Sequence, residues 1–535
     1  MGGGVGGILA RRMRARGHGR RRAGASRRRR WKRLHCENPY VRLAAVSNRK
    51  LIASRLKDLD QAQDYRAWRE IALELDRLEG GEAWKQDEMS EHYDYLLIKE
   101  RLEQLRALRR RGDVRRLVHE LAEGLHGNLG NTANPVLYAW CRVGTKKLIE
   151  DYVEEVARCL DYICVGDFPD FSDEEKILFF KRTGTSFGRS ALLLSGGATL
   201  GMFHLGVIKA LWEEGLLPRV ISGSSAGAII AAMAGTRNDE ELPAMFDPDQ
   251  LDLQAFSGVS LRLALRQRAL MDPSRLEACL ARNIRPGTFL EAFERTRRIL
   301  GVTVSPAQPN QSPRLLNYLT APSVLVRSAV LASCAVPGVF PPAMLEAQDY
   351  SGAVVPYMPS KRWIDGTIAH DLPMLRLARL HNVNHYIVSQ TNPHVAPFMR
   401  ERDPRRRGWF DFVRETAGVL GRDALKVARE YSRGFAGGRV VDALNDILQQ
   451  RYSGDVSIVP RQTPAQLLRM FSNLKPEELR RLIREGERAT WPKIERIRVQ
   501  TRISRAFEDC LAWLKDRSRR RPQRVPRLRA VNQTR

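Results

Sequence analysis

The chain has 535 residues, of which 43% are hydrophobic, and a formal net charge of +28. This length suggests roughly two to four domains, and the composition is typical of a globular protein with a sizeable core. The sequence contains no run of about 18 consecutive apolar residues, so we expect no transmembrane helix and only peripheral contact with membranes.

The positive charge is concentrated at the two ends of the chain. Residues 1–36 contain thirteen Arg or Lys and residues 517–535 contain eight Arg, with no acidic residue in either segment. Such blocks of like charge are usually solvated, and we predict a basic disordered arm at 1–37 and a basic disordered tail at 516–535. Both segments also suit an anionic membrane or lipid surface, and we expect no specific nucleic-acid partner.

The seven cysteines are scattered along the chain. Their number is odd, no two form a Cys-x-x-Cys pair, and no Cys/His spacing is typical of a zinc site. We therefore predict reduced thiols in a cytoplasmic protein that needs neither a metal nor a cofactor.

The first predicted domain, 38–185, is helical. Apolar residues recur at helical spacing over 54–78, 93–110, 114–125 and 145–162. The pair Gly80-Gly81 is expected to end the first of these helices, and a loop is expected around 127–135.

The second predicted domain, 186–400, alternates strands and helices. We predict strands at 190–195, 220–222, 301–304 and 387–389, and helices at 202–214 and 226–234. This alternation predicts an α/β fold with a mostly parallel sheet flanked by helices.

Helical periodicity returns in the third predicted region, 401–515. There the basic run 405–407 stands directly before Trp409, Phe410 and Phe412. Basic residues beside aromatic ones suit a segment at a membrane interface, although a helix that docks its aromatic side chains on the main domain fits equally well.

Ser225 lies at the centre of a Gly-x-Ser-x-Gly pentapeptide whose glycines are Gly223 and Gly227. An apolar strand precedes this pentapeptide and a helix of small residues follows it. That context is typical of a nucleophile elbow, in which a sharp turn exposes the serine hydroxyl at a helix N-terminus. An ordinary tight turn with a buried serine is the alternative.

A glycine-rich turn follows the preceding strand. Gly196, Gly197 and Ala198 come directly after Ser195, and glycine permits backbone torsions that aim several N–H groups at one point. We interpret this turn as an oxyanion site, with a phosphate-binding loop and an ordinary turn between strand and helix as the alternatives.

The residues alone offer several candidates for the general base. Asp365 follows two apolar residues and precedes Gly366 at a predicted strand end, and burial there would raise its pKa. A turn aspartate is the alternative reading of Asp365. Five histidines are rival bases: His204, His370, His381, His385 and His394.

Four motifs, taken in order, resemble those of the patatin-like phospholipase family: the turn at 195–201, the pentapeptide at 223–227, the segment 332–342, and Asp365-Gly366-Thr367. This resemblance implies a Ser–Asp dyad without a catalytic histidine. It makes Ser225 the nucleophile and Asp365 the base, and it places the oxyanion site at 196–198. Two positions depart from the family pattern, since Ser195 replaces a leading glycine and Thr367 stands where Gly or Ala is usual.

Further segments, at 64–68, 144–150 and 316–322, resemble the triacylglycerol lipase branch of that family. The resemblance implies a serine lipid acyl hydrolase that cleaves fatty-acyl esters through an acyl-enzyme at the surface of a membrane or a lipid droplet. Two alternatives remain open. One is a phospholipase A or lysophospholipid acyl hydrolase, and the other is a membrane-binding protein with a degenerate esterase domain.

Overall fold

The computed structural model describes residues 49–260, 262, 264, 269–308, 311–368, 372–392, 454–461 and 469–520. The predicted arm at 1–37, the part of the predicted tail from 521 onward and the aromatic segment after 405–407 lie outside these residues. In the described part, a helical N-terminal region precedes a mostly parallel sheet with helices on both faces, which confirms the predicted fold class.

The N-terminal region consists of helices joined by short turns. These helices are α1 (Arg49–Gln61), α2 (Tyr65–Leu78), α3 (Gly81–Gln86), α4 (Tyr95–Arg111), α5 (Val114–Gly124), α6 (Lys147–Val165) and α7 (Asp173–Phe187). The expected loop after α5 contains two 3-10 turns, at Leu129–Asn131 and Pro135–Tyr138.

The single helix predicted over 54–78 is wrong, because the chain forms two helices there. The carboxylate of Asp64 accepts a hydrogen bond from the Ala67 backbone N–H at 2.8 Å and so starts α2 as a new helix. The same helix ends at Leu78, and Gly80 adopts a left-handed backbone conformation with φ of 79°, which glycine tolerates without strain.

The main sheet has seven strands among the described residues. They are β1 (Arg189–Leu194), β2 (Val220–Gly223), β3 (Ile299–Pro306), β4 (Arg314–Leu316), β7 (Trp363–Asp365), β8 (Val383–Ser389) and β9 (Val456–Ile458). The strand order is β4-β3-β2-β1-β8-β9, and β7 also pairs with β3. The pairs from β3 to β9 are parallel, whereas β4 and β7 run antiparallel to β3. A separate hairpin joins β5 (Leu345–Gln348) to β6 (Val354–Tyr357).

Helices cover both faces of this sheet. They are α8 (Phe203–Glu213), α9 (Ala226–Gly235), α10 (Pro273–Asn283), α11 (Phe289–Thr296), α12 (Val326–Ser333) and α13 (Met374–His381). Every residue of β2 and β3 is buried, as expected for strands whose two faces both pack against helices. The carboxyl ends of β1 and β2 therefore lie side by side at one edge of a rigid core.

The C-terminal region is helical over α14 (Pro476–Thr490) and α15 (Ile494–Arg520). It also contributes β9, a strand that the helical prediction for 401–515 missed. Helix α14 packs closely on α8, because a Cβ atom at Gly206 would lie only 1.8 Å from the Ile483 carbonyl oxygen. Helix α15 buries Phe507 and Leu514 against the N-terminal helices and ends at Arg520, four residues beyond the predicted start of the disordered tail at 516.

Candidate active site

Ser225 occupies the sharp turn between β2 and α9. Its backbone has φ of 53° and ψ of −125°. A residue other than glycine adopts this conformation only when the surrounding structure imposes it. The Ser225 side chain is almost buried, with 8% of its surface exposed, and it stands immediately before the first residue of α9. The N-terminus of this helix offers free N–H groups and a positive partial charge next to the hydroxyl.

The two glycines of the pentapeptide allow this turn to form. A Cβ atom at Gly223 would lie 2.2 Å from the carbonyl oxygen of Gly227, and one at Gly227 would lie 2.2 Å from the carbonyl oxygen of Leu194. Any side chain at either position would therefore collide with backbone. The pattern Gly-x-Ser-x-Gly is a steric requirement of the close approach between the turn, α9 and β1.

A second serine holds the turn in place. The Ser225 N–H donates to the Ser333 hydroxyl oxygen at 2.9 Å, and the Ser333 hydroxyl donates to the Thr303 carbonyl at 2.7 Å. Ser333 is fully buried at the end of α12, so this bridge ties the elbow to β3. Ser333 lies inside the motif at 332–342, but no local pattern in the sequence assigns it a role of its own.

Asp365 is the last residue of β7 and is completely buried. Its Oδ1 accepts two hydrogen bonds of 2.8 Å, one from the Thr367 N–H and one from the Thr367 hydroxyl. No hydrogen bond of good geometry reaches its Oδ2 from the described residues, but the Ser225 hydroxyl is close enough to interact with the carboxylate. Ser225 and Asp365 line the same cavity, although 140 residues separate them in the sequence.

Burial raises the pKa of the Asp365 carboxyl to about 6, and the hydrogen bonds from Thr367 together with the neighbouring Ser225 hydroxyl oppose this rise by stabilising the carboxylate. A carboxyl group with this pKa is mostly ionised at pH 7, yet it is basic enough to accept a proton. These are the properties that a general base needs near neutral pH.

The glycine-rich turn packs directly on Ser225. A Cβ atom at Gly196 would lie 3.3 Å from the Ser225 Cβ atom and 2.5 Å from the Thr367 Cγ2 atom. The Gly196 carbonyl accepts hydrogen bonds from the hydroxyls of Ser195, at 2.9 Å, and Thr391, at 2.8 Å. Because a trans peptide points its C=O and N–H in opposite directions, these bonds turn the Gly197 N–H away from the two hydroxyls.

Gly197 and Ala198 both line the cavity that holds Ser225, and both have positive φ values, of 157° and 48°. Ser195 stands where the family pattern has a glycine, and its hydroxyl anchors the turn. The backbone of the turn is thus held in place by hydrogen bonds beside Ser225.

The three described histidines among the rival bases have other partners. His204 is buried beneath the turn and bonds the Ser195 carbonyl at 3.0 Å and the Ser389 hydroxyl at 2.7 Å. His381 bonds the Asn317 side chain, and His385 lies between Ser190 and Gln500. None of these three histidines lines the cavity at Ser225, and His370 and His394 lie outside the described residues.

The cavity has a volume of about 240 Å³ and is mostly apolar. Its wall includes aliphatic, aromatic and sulfur-containing side chains, among them Ile229, Met233, Leu253, Phe256, Leu276, Val336, Phe340 and Phe471. No Lys or Arg occurs among its described lining residues. Two larger cavities, of about 620 and 660 Å³, lie beside the N-terminal helices and α15. Their linings mix polar and apolar side chains, and neither includes Ser225.

Two family descriptions match the chain. Residues 45–185 match a domain of unknown function, DUF3336, and residues 192–378 match the patatin-like phospholipases. The second match covers the elbow, the glycine-rich turn and Asp365.

Several relatives resemble the chain over most of its length. Triacylglycerol lipase SDP1L of Arabidopsis thaliana is 36% identical over 93% of this chain and 66% of its own length. Triacylglycerol lipase ptl3 of Schizosaccharomyces pombe is 36% identical over 82% of this chain and 92% of its own length. Triacylglycerol lipase 4 of Saccharomyces cerevisiae is 34% identical over 85% of this chain and 52% of its own length. The chain thus spans between about half and nine tenths of the length of these relatives.

Among solved structures, VipD from Legionella pneumophila matches 61% of this chain and 67% of its own. The sequence identity is 14% and the TM-score is 0.27, so the likeness is distant.

Proposed function

This chain belongs to the patatin-like phospholipase family, and on that premise we propose that it is a triacylglycerol lipase acting through a dyad of Ser225 and Asp365. One observation carries the proposal. The buried carboxylate of Asp365, with its Oδ2 open, shares an apolar cavity with a strained serine and a preformed glycine turn. A nucleophile, a base, an oxyanion site and an acyl pocket are the four parts that acyl transfer requires.

In the first half of the proposed reaction, the Ser225 Oγ atom attacks the ester carbonyl carbon while its proton passes to Asp365 Oδ2. The negative charge that develops on the carbonyl oxygen is stabilised by N–H groups of the turn at 196–198 and by the N-terminus of α9. The tetrahedral intermediate then collapses, and the departing glyceride oxygen takes the proton from Asp365. The product of this half is an acyl group esterified to Ser225.

In the second half, water attacks the acyl carbon and gives its proton to Asp365. The new tetrahedral anion collapses, the fatty acid leaves, and Ser225 Oγ recovers the proton. Asp365 thus acts as base and then as acid in each half, which its pKa of about 6 permits near neutral pH.

The lining of the cavity favours a neutral acylglycerol over a phospholipid. Its walls are largely apolar, and the charged groups among the described lining residues are the carboxylates of Asp252 and Asp365. A phosphodiester placed there would meet no cation among the described lining residues and would be repelled by the Asp365 carboxylate, whereas the Asp252 carboxylate is already paired with Arg275 at 3.0 Å. A triacylglycerol carries no charge and pays no such penalty.

The substrate class can be tested by measuring hydrolysis of tri-, di- and monoacylglycerols and of phosphatidylcholine by the purified full chain. Ser225→Ala protein, prepared in parallel, controls for contaminating lipases. We expect triacylglycerol to be cleaved with the highest kcat/KM and phosphatidylcholine with the lowest. A preference for phosphatidylcholine that disappears in Ser225→Ala would overturn the assignment to triacylglycerol and leave the dyad intact.

Thr367 is expected to set the pH at which the dyad becomes active. In Thr367→Val, the carboxylate of Asp365 loses the hydroxyl bond of 2.8 Å, which should raise the Asp365 pKa. The acid limb of the profile of log kcat/KM against pH should move up by about one pH unit, while the plateau at high pH changes little. Thr367→Ser keeps the donor and should keep the wild-type limb. If the acid limb of the profile lay at the same pH in Thr367→Val and the wild type, the Thr367 hydroxyl would not affect the pKa of Asp365.

We also propose that the basic ends of the chain attract anionic lipid surfaces. None of the helices in the described part of the chain combines the length and apolar character that a membrane span requires. The net charge lies mainly in residues 1–36 and 517–535.

Truncation tests the role of these basic ends. Removing 1–36 and 521–535 spares Arg517, which pairs with Asp167 and Asp173. This double truncation should weaken binding to vesicles containing phosphatidylserine by about tenfold or more and reduce the salt dependence of binding. If the truncated protein bound these vesicles as strongly as the full chain, the basic ends would not be what attracts it to anionic lipid.

A further inference from the structure

The β5–β6 hairpin belongs to a chain excursion that leaves and rejoins the wall of the active-site cavity. Phe340 and Asp365 both line that cavity, and the chain between them makes the excursion. Two backbone hydrogen bonds of 2.9 Å between Ala343 and Trp363 close its base. The segment 344–362, which we call the hairpin excursion, is therefore anchored beside the dyad.

The outer surface of the hairpin excursion is apolar and exposed. Strand β5 turns Leu345 and Ala347 inward, whereas β6 exposes its side chains. Val354 keeps 58% of its surface exposed, and Tyr350 at the tip is fully exposed. Val355, Met344 and Met358 are also exposed hydrophobic residues. The strand register pairs Val354 with Gln348 on the outer face and Val355 with Ala347 on the inner face, so these exposed residues surround the hairpin. Five exposed apolar side chains on one short hairpin are of the kind that marks an interaction surface.

Basic side chains stand at the base of the hairpin excursion. The guanidinium of Arg362 lies 3.1 Å from the Met344 sulfur, and that of Arg314 lies 3.6 Å from the Met358 sulfur. Lys361 contacts the amide oxygen of a glutamine at 3.3 Å. None of the three cations forms a salt bridge with an acidic residue in the part of the chain that the structure describes, so their charge is available to an external anion.

We propose that the hairpin excursion is the element that seats the enzyme on a lipid surface bearing anionic headgroups. An apolar tip above a ring of cations matches the layering of a lipid monolayer or bilayer, in which acyl chains lie beneath charged phosphates. The excursion also carries two acidic residues: Asp349 at the tip, whose carboxylate accepts hydrogen bonds from Ser351 and Ala353, and the exposed Glu346 in β5. Pro356 removes one backbone donor from β6, which disfavours the alternative of strand addition by another protein.

This inference rests on the proposed function, because a lipase must reach a substrate that is dissolved in a lipid phase. Seating the hairpin excursion on the surface would bring the cavity wall to the lipid, since the excursion begins and ends at that wall. The hairpin excursion would thus bring the active site to its substrate and would take no part in the chemistry at Ser225.

Vesicle flotation of the full chain tests the proposal without relying on hydrolysis. The vesicles are phosphatidylcholine alone and phosphatidylcholine with phosphatidylserine. The test variant is Val354→Asp with Val355→Asp, and the matched control is Leu375→Asp, which alters a residue that is 74% exposed on α13, outside the hairpin excursion. We expect the double variant to lower partitioning by at least about tenfold, the factor that corresponds to the loss of one buried valine side chain.

The Leu375→Asp control should float like the wild type. A second variant, Arg314→Gln with Arg362→Gln, should weaken binding to the anionic vesicles and change binding to pure phosphatidylcholine little. Wild-type flotation by the double valine variant, or an equal loss in Leu375→Asp, would overturn the proposal.

Enzyme assays separate this proposal from the proposed function. The double valine variant should hydrolyse a soluble short-chain ester within about twofold of the wild-type rate, because the changed residues are exposed and lie outside the cavity. It should lose hydrolysis of emulsified triacylglycerol in parallel with vesicle binding. Absence of ester hydrolysis in the wild type would contradict the proposed function, whereas flotation would still decide the role of the hairpin excursion.

Discussion

Replacement of Ser225 by alanine is expected to reduce ester hydrolysis by about 10⁵-fold or more, because the atom that forms the acyl-enzyme is removed. The fold should survive. The turn is held by the Ser225 N–H, which donates to Ser333, and by the glycines on either side, and none of these depends on the Ser225 hydroxyl. Steady-state hydrolysis and urea unfolding of the same preparation measure the two effects.

Ser222 provides the matched control for this substitution. Its hydroxyl is buried three residues earlier in β2 and has no hydrogen-bond partner among the described residues, so Ser222→Ala removes an unsatisfied polar group of the same size. We expect Ser222→Ala to keep its activity and to be equally stable or slightly more stable. If pure Ser225→Ala protein hydrolysed the ester as fast as Ser222→Ala does, another residue would have to be the nucleophile.

Replacement of Asp365 by asparagine is expected to reduce kcat by about 10³-fold, since a positioned general base contributes about 10²- to 10⁴-fold. The same change should stabilise the protein at neutral pH. Burial raises the pKa of Asp365 to about 6 in the folded state, so the folded protein holds this proton more tightly than the unfolded chain does. The stability that this proton contributes is present at low pH and is lost as the pH rises from about 4 to 6.

The expected size of this loss is about 3 kcal/mol, from the rise of the pKa from 3.8 to about 6. Asparagine has the same shape and no such dependence, and its Oδ1 can still accept from Thr367. Urea unfolding at pH 4.5 and pH 8 should therefore show that Asp365→Asn gains stability over the wild type mainly at the higher pH. If Asp365→Asn kept full activity, Asp365 would not be the general base, and a histidine would again be a candidate for that role. A stability difference that is the same at both pH values would contradict the shifted pKa.

The nucleophile turn could be predicted from the sequence because the residues that shape it are consecutive, although the distant Ser333 also holds it. The apolar strand, Gly223, Ser225, Gly227 and the small residues of α9 are consecutive, and the two glycines are required by contacts within the same βα unit and β1. The parallel sheet followed equally well from the alternation of short buried strands with helices.

The partners of this turn depend on long-range pairing that no local pattern reveals. Asp365 reaches Ser225 because the three-residue strand β7 pairs antiparallel with β3, where Asp365 is opposite Val304. The motif resemblance pointed to Asp365, but spacing alone left five histidines open. Ser333 and Thr391 were missed for the same reason, since their hydroxyls acquire a role only when distant segments meet. Strand β9 is too short to show a period, and the break before α2 depends on the single cap at Asp64.

Labelling with a fluorophosphonate probe, followed by mass spectrometry of the modified peptide, tests most directly whether the hydroxyl on the β2–α9 turn is an activated nucleophile. We predict one stoichiometric adduct on Ser225 in the wild type, strongly slowed labelling in Asp365→Asn, and no adduct in Ser225→Ala. Absence of labelling in the folded wild-type chain would support a binding protein with a degenerate esterase domain. An adduct on a different serine would contradict the assignment of Ser225.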